Sequence, residues 1–151
     1  MARQLALYVT LYSPIQMAAD LPENYLAQPR ALKFISDVPT DWTASRVLSG
    51  EIGEHVTIAR QDRNSDAWYI GSITGDAART VPVALAFLTP GRRYAAEIYT
   101  DAPGIDWRTA PVAPDLAATL VVTRRTVTSA DTLSLVLGAG GGAAVRLVPV
   151  K

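Results

Sequence analysis

Asp66-Ala67-Trp68-Tyr69-Ile70-Gly71-Ser72, with Thr74-Gly75-Asp76 behind it and Val81-Pro82-Val83-Ala84-Leu85 further on, is the stretch that decides the fold class. Trp68, Ile70 and Ser72 alternate with Tyr69 and Gly71, and Val81, Val83 and Leu85 alternate with Pro82 and Ala84. A period of two puts one set of side chains on a buried face and the other set opposite, so both runs read as half-buried antiparallel strands. The residues between them, Thr74-Gly75-Asp76, favour a turn.

Outward from there the texture repeats. Val56 and Ile58 alternate with Glu54 and Thr57. Further strand-like runs are Tyr94 to Thr100, Ala117 to Val127, Thr132 to Leu137 and Ala143 to Val150. Gln61-Asp62-Arg63-Asn64-Ser65-Asp66 and Thr89-Pro90-Gly91 supply turns, and the spacing suits hairpins rather than crossovers. Seven or eight strands after residue 41 make a β-sandwich or open barrel the expected outcome. Asp101 to Pro114, with Trp107, reads as a long loop whose tryptophan packs across one end of a sheet.

Before Asp41 the pattern differs. Arg3 to Ser13 is apolar nearly all round and free of Gly, which predicts a helix that Pro14 ends. Ile15 to Ala19 fits either a buried strand or one helical turn. Leu21 to Tyr25 reads as a loop, and Gln28 to Val38 carries Ala31, Leu32, Phe34 and Ile35 at helical spacing until Pro39.

Composition narrows the function. Fourteen basic residues balance fourteen acidic ones without a run of either sign, so there is no electrostatic footprint for nucleic acid. Cysteine is absent, which excludes thiolate chemistry and disulfides. The apolar stretch near the N-terminus is broken by Tyr8, Thr10, Tyr12 and Ser13, and Asp20-Leu21-Pro22-Glu23 stands where a signal peptide's cleavage site belongs, so no signal peptide is expected. No apolar segment reaches the roughly 18 residues of a membrane span.

Candidate sites are few. Gly138 to Gly142 lacks the following helix and the Gly-Lys-Ser/Thr ending of a phosphate loop, and reads as a hairpin turn. Asp62-Arg63-Asn64-Ser65-Asp66 copies the start of a calcium loop, but Ala67 replaces its Gly and Ile73 its final Glu. His55 is the only histidine, so neither a triad nor a zinc site can be built around a second one. Carboxylates remain for acid/base work, and glycoside hydrolysis needs two flanking one bond. Asp20, Glu23, Glu51, Glu54, Glu97, Asp101 and Asp106 are available, and none forms a signature by spacing.

Two stretches carry a family resemblance. Gln4-Leu5-Ala6-Leu7-Tyr8-Val9-Thr10 through Tyr12-Ser13-Pro14-Ile15-Gln16-Met17-Ala18-Ala19-Asp20-Leu21-Pro22-Glu23-Asn24-Tyr25 resembles the segment closing the catalytic barrel of family 97 glycoside hydrolases. Gly50-Glu51-Ile52-Gly53-Glu54, Asp66 to Gly71, Phe87-Leu88-Thr89-Pro90-Gly91, Ala96-Glu97-Ile98-Tyr99 and Gly140-Gly141-Gly142 are similar to that family's C-terminal domain. The likeness is nearest to its starch-utilisation α-glucosidases, while other members are α-galactosidases.

The resemblance implies a mostly β chain: an antiparallel β-sandwich of the oligomerisation type over residues 42–151, preceded over residues 1–41 by a helix-strand-helix remnant of a (β/α)8 barrel. Arg3 to Ser13 would be that barrel's seventh helix, Pro14 to Ala19 its eighth strand and Gln28 to Val38 its eighth helix. The family's catalytic glutamates and calcium ligands lie upstream, so the resemblance assigns this chain no catalytic residue and no metal ligand. Asp20 and Glu23 would stand past the last barrel strand and border the sugar pocket of an intact parent, or else cap the following loop or helix. The implied setting is periplasmic, with a homo-oligomer as partner and an α-linked oligosaccharide as the parent's ligand.

A lone strand and two helices cannot bury a barrel strand on both faces, so Leu5 to Tyr12 would be left partly exposed. Either the chain is shortened, or a partner completes the barrel surface. A carbohydrate-binding sandwich is the competing expectation, with Trp42, Trp68, Trp107, Tyr69, Tyr94 and Tyr99 as sugar platforms. Against it, at seven per cent aromatics most of these are needed for the core.

Overall fold

The computed structural model of the chain describes residues 1–105 and 119–150. The expected role of Trp107, and Asp106, lie outside the described residues. Among the described residues there are three helices, α1 (Ala2–Thr10), α2 (Pro22–Leu26) and α3 (Pro29–Asp37). Eight strands follow: β1 (Trp42–Glu51), β2 (His55–Asp62), β3 (Trp68–Thr74), β4 (Arg79–Ala84), β5 (Tyr94–Asp101), β6 (Leu120–Val127), β7 (Thr132–Leu137) and β8 (Gly142–Pro149).

All strand pairings are antiparallel. A six-stranded sheet runs β1-β2-β3-β8-β5-β6, and β4 pairs with β7 in a second, two-stranded sheet. The alternation along each strand builds two cores. Trp68 and Ile70 of β3, Val145 and Leu147 of β8 and Tyr94 and Ala96 of β5 face Val81, Val83, Leu133 and Leu135 of the small sheet. Tyr69, Ala144, Tyr99 and Leu120 point the other way, where they meet Leu5, Ala6 and Val9 of α1 and Phe34 of α3. The architecture is therefore three-layered: helices, six-stranded sheet, two-stranded sheet.

The third layer explains a departure from expectation. Strand β3 is buried on both faces instead of one, because α1 lies across it and β8. The contact is made of small residues. A Cβ on Gly71 would stand 2.9 Å from the Val9 Cβ, and one on Gly142 would stand 2.7 Å from the Arg3 Cα. Gly71 pairs with Ala144 and Gly142 with Ile73, so the shallow strip runs across two adjacent strands. Burying Leu5 and Val9 there is worth roughly 1.5–3 kcal/mol each.

Three further departures have local causes. Helix α1 stops at Thr10, short of Ser13, because Leu11 turns extended and the Arg60 guanidinium takes the Val9 carbonyl in place of another helical turn. Residues 14–19 form no strand: Ile15 and Met17 are 74% and 82% exposed, and a segment without a neighbouring strand has nothing to pair its backbone groups. Gly138 to Gly142 is not a hairpin turn, since it carries the chain from β7 in the small sheet to β8 in the large one. Residues 75–78 make the reverse crossing from β3 to β4. The two crossings pair with each other through Gly140 N–H to Gly75 O (2.7 Å) and Thr74 N–H to Gly141 O (3.1 Å). Gly140 takes a φ of 63° there, a conformation that glycine adopts without steric cost.

Candidate functional site at the helical face

Charged groups anchor both ends of α1 on the sheet. Asp101, at the end of β5, accepts hydrogen bonds from the Ala2 N–H and the Met1 amine through Oδ1 (both 2.8 Å) and from the Gly142 N–H through Oδ2 (3.3 Å). A carboxylate at this position satisfies free helix donors and sits favourably against the positive end of the helix dipole. Arg3 donates to the Thr74 and Gly140 carbonyls (2.7 and 2.9 Å), tying the first turn of α1 to both crossings between the sheets. At the other end Arg60, buried on β2, donates through Nε to Val9 O (2.6 Å) and through Nη1 to Ser45 Oγ (2.7 Å), and its guanidinium lies 5.7 Å from the Tyr12 ring centroid.

A polar seam runs beneath α3. Glu97 accepts from Arg124 Nε (2.9 Å), and Arg146 lies 3.6 Å from Glu97 and 3.5 Å from Asp37. Tyr69 donates to the Asp37 carbonyl (2.7 Å), and Lys33 pairs with the Asp37 carboxylate one turn along α3. Burial opposes ionisation of Glu97, but the Arg124 hydrogen bond and the charges of Lys33, Arg124 and Arg146 outweigh it and hold the carboxyl below its ordinary value. Burial, then the Glu97 charge, push the Tyr99 phenol up to about 12.

Asp20 and Glu23 lie on the outer side of the helices. Asp20 accepts from the Leu21 N–H and from the Asn24 amide, which lower its pKa, the Asn24 bond contributing most. It therefore braces the entry to α2, while Glu23 occupies the first helical turn, where the dipole favours an acid. Both are exposed, and no hydrogen bond joins them. Asp20 borders a cleft of about 840 Å³ between the helices, lined among others by Leu5, Tyr8, Met17, Tyr25 and Ile35. Next to it Leu11, Tyr12, Ile15, Met17, Leu21 and Leu26 expose their apolar side chains within sixteen residues of sequence.

The other candidates have structural partners. His55 Nδ1 accepts from Arg79 Nη1 (2.8 Å), which leaves Nε2 to donate to Ser49 Oγ (2.9 Å). Arg79 also reaches Glu54 and Thr74 Oγ1, so the group joins the small sheet to the large one. Asp62 receives the Asn64 N–H and the Ser65 hydroxyl in the β2–β3 turn, and Asp66 pairs with Arg92, so the calcium-like spelling builds a turn. Among the described residues no cluster of three or more metal-ligating side chains occurs. Trp42, Trp68, Tyr69, Tyr94 and Tyr99 are all buried and present no ring to a sugar. The helix-anchoring roles of Arg3, Arg60 and Asp101 escape sequence reasoning, since the helix and crossing backbone groups they bond lie 41 or more positions away.

Residues 41–148 match the family described as glycosyl hydrolase 97 C-terminal, oligomerisation. The chain is 43% identical over 99 residues to a retaining α-galactosidase of Bacteroides thetaiotaomicron, covering 66% of this chain and 14% of that protein. It is 38% identical over 84 residues to a probable retaining α-galactosidase of Streptomyces bingchenggensis, covering 56% and 13%. The solved family 97 enzyme from a Pseudoalteromonas species, in complex with acarbose, superposes with a TM-score of 0.91 at 45% identity over 99% of this chain and 22% of that one. A β-arabinopyranosidase structure shares the fold, with a TM-score of 0.72 at 22% identity. The chain thus spans a small part of the length of the relatives it matches. No helix among the described residues is long and apolar enough to cross a membrane. A mostly β, antiparallel fold, a superposition that takes in α1 to α3, and a family match over most of the strands agree on one assignment: the chain belongs to the C-terminal, oligomerisation-type domains of family 97 glycoside hydrolases.

Proposed function

We propose that the chain works as the non-catalytic C-terminal unit of a family 97 enzyme that hydrolyses α-galactosidic or α-glucosidic bonds, supporting the catalytic barrel on its helical side and joining copies into a homo-oligomer. The observation that carries this reading is the exposed apolar run Leu11 to Leu26 beside the interhelical cleft. Soluble monomers rarely leave so much contiguous apolar surface in water, and in the superposed solved enzyme the matched part is 22% of a longer chain. Residues 1–41 would then continue the barrel, with Asp20 and Glu23 at the border of the sugar pocket and the calcium ligands and catalytic glutamates supplied from outside the chain. The α-galactosidase relatives favour galactosides and the acarbose complex favours glucosides. The periplasmic setting of this proposal follows from the family resemblance alone.

Activity of the purified chain on nitrophenyl α-galactoside and α-glucoside tests the non-catalytic part. The expected result is no turnover above buffer. Turnover that Glu23→Gln abolishes would overturn the reading and make Glu23 a catalytic group of this chain.

A further inference from the structure

We propose that the outer face of the two-stranded sheet is the surface through which two copies of the chain meet, an inference that rests on the self-association reading above. In the β4–β7 register Thr80 lies opposite Val136, Pro82 opposite Ser134 and Ala84 opposite Thr132. All six are exposed, while the residues between them, Val81, Val83, Leu133 and Leu135, fill the core. Val136 is 65% exposed on the rim of a groove of about 520 Å³ shared with Ile98, Val121 and Thr123; the charges that line it, Asp101 and Arg125, lie outside the six strand positions, Arg125 donating to the Thr132 carbonyl (3.4 Å).

The argument for a second copy is one of symmetry and charge. A two-fold contact sets a patch against itself, so any charged group near the axis meets its own like charge. The helical face carries Lys33, Asp37, Glu97, Arg124 and Arg146, and the β1–β2 turn carries Glu51 and Glu54 around an exposed Ile52. The β4–β7 face has no charge at any of its six outward positions in a chain that is 19% charged. Loss of charge is the compositional mark of an interface centre. The layer order also leaves both surfaces usable at once, because the small sheet and the helices lie on opposite sides of the six-stranded sheet. Edge-to-edge pairing through β4 is disfavoured by Pro82, which has no N–H to offer. Six residues form the centre of such an interface; a stable dimer buries about 800 Å² per partner, so the groove beside Val136 and the surrounding rim complete it.

Sedimentation equilibrium on the full chain and on two single-charge variants tests this, with circular dichroism confirming that each is folded. Val136→Glu is expected to weaken association on the order of a hundredfold, while Ile52→Glu, at a fully exposed position outside the patch, leaves it unchanged. Should Val136→Glu alter folding, Ser134→Lys carries the same test from the adjacent outward position of β7. An associating parent chain whose mass neither variant changes would overturn the patch and leave self-association standing. A parent chain that stays monomeric would remove the self-association reading, and the patch with it.

Discussion

The position a Cβ would take on Gly71 lies 2.5 Å from the carbonyl oxygen of Ala6, closer than any side chain can stand to backbone. Strand β3 and helix α1 are thus in backbone contact at this point.

Gly71→Ala should therefore cost about 2–3 kcal/mol, since the backbone at Ala6 cannot yield without lifting α1. Urea unfolding measures the loss. Hydrogen exchange over residues 2–10 should show the helix opening first, and an undisturbed helix at full stability would contradict the close packing.

Arg60→Met keeps the length of the side chain and removes its hydrogen bonds to Val9 and Ser45. Leaving the Val9 carbonyl without its charged donor should cost about 2 kcal/mol. Urea unfolding of Ser45→Ala, which removes the exposed end of the arrangement only, should show well under half of that.

Asp101→Ala strips the N-terminus of α1 of its acceptor and should lower stability by about 1–2 kcal/mol. Raising salt should leave most of the difference in place, because the carboxylate is largely shielded from solvent.

The seam beneath α3 sets the pH response. Glu97 titrates below its ordinary value in the folded chain, so its stabilisation is fully present above the unfolded carboxylate pKa of about 4.3 and is lost as pH falls through the lower folded value. Glu97→Gln should lose stability near neutrality and match the parent chain once both carboxyl states are protonated. Tyr99 is raised to about 12, so its contribution is present below the unfolded phenol value of about 10 and is lost as pH climbs toward the folded one. Tyr99→Phe should flatten that alkaline limb. Denaturation midpoints across the pH range measure both limbs.

Much of this architecture is legible in the residues. The strands from β2 to β8 and the turns at 61–66 and 89–91 follow from period-two alternation and turn chemistry. Strand β1 is not legible in the residues, because its exposed middle, Ser45 to Val47, follows no alternation, as befits an edge strand with bulges in its pairing to β2. The crossings at 75–78 and 138–141 could not be told from hairpins, since turn residues report a change of direction and not which sheet the next strand joins. The expected strand at 14–19 came from likeness to a barrel, and hydrogen-bonding neighbours, which no single segment encodes, decide whether a strand forms. Asp20 and Glu23 are expected from the resemblance either to border a parent's sugar pocket or to cap the following loop or helix, and the geometry shows Asp20 bracing the entry to α2 through the Leu21 N–H and the Asn24 amide.

The burial of Trp42, Trp68, Tyr69, Tyr94 and Tyr99 predicts that maltooligosaccharides at millimolar concentration produce no saturable change in tryptophan fluorescence. A saturable change would restore the carbohydrate-binding reading.

Light scattering on the purified chain over a wide concentration series tests the central claim most directly. The account predicts a mass that settles at a closed oligomer, with a dimer the simplest form consistent with one self-complementary patch. A well-folded chain whose mass stays at 16.1 kDa at every concentration would contradict it.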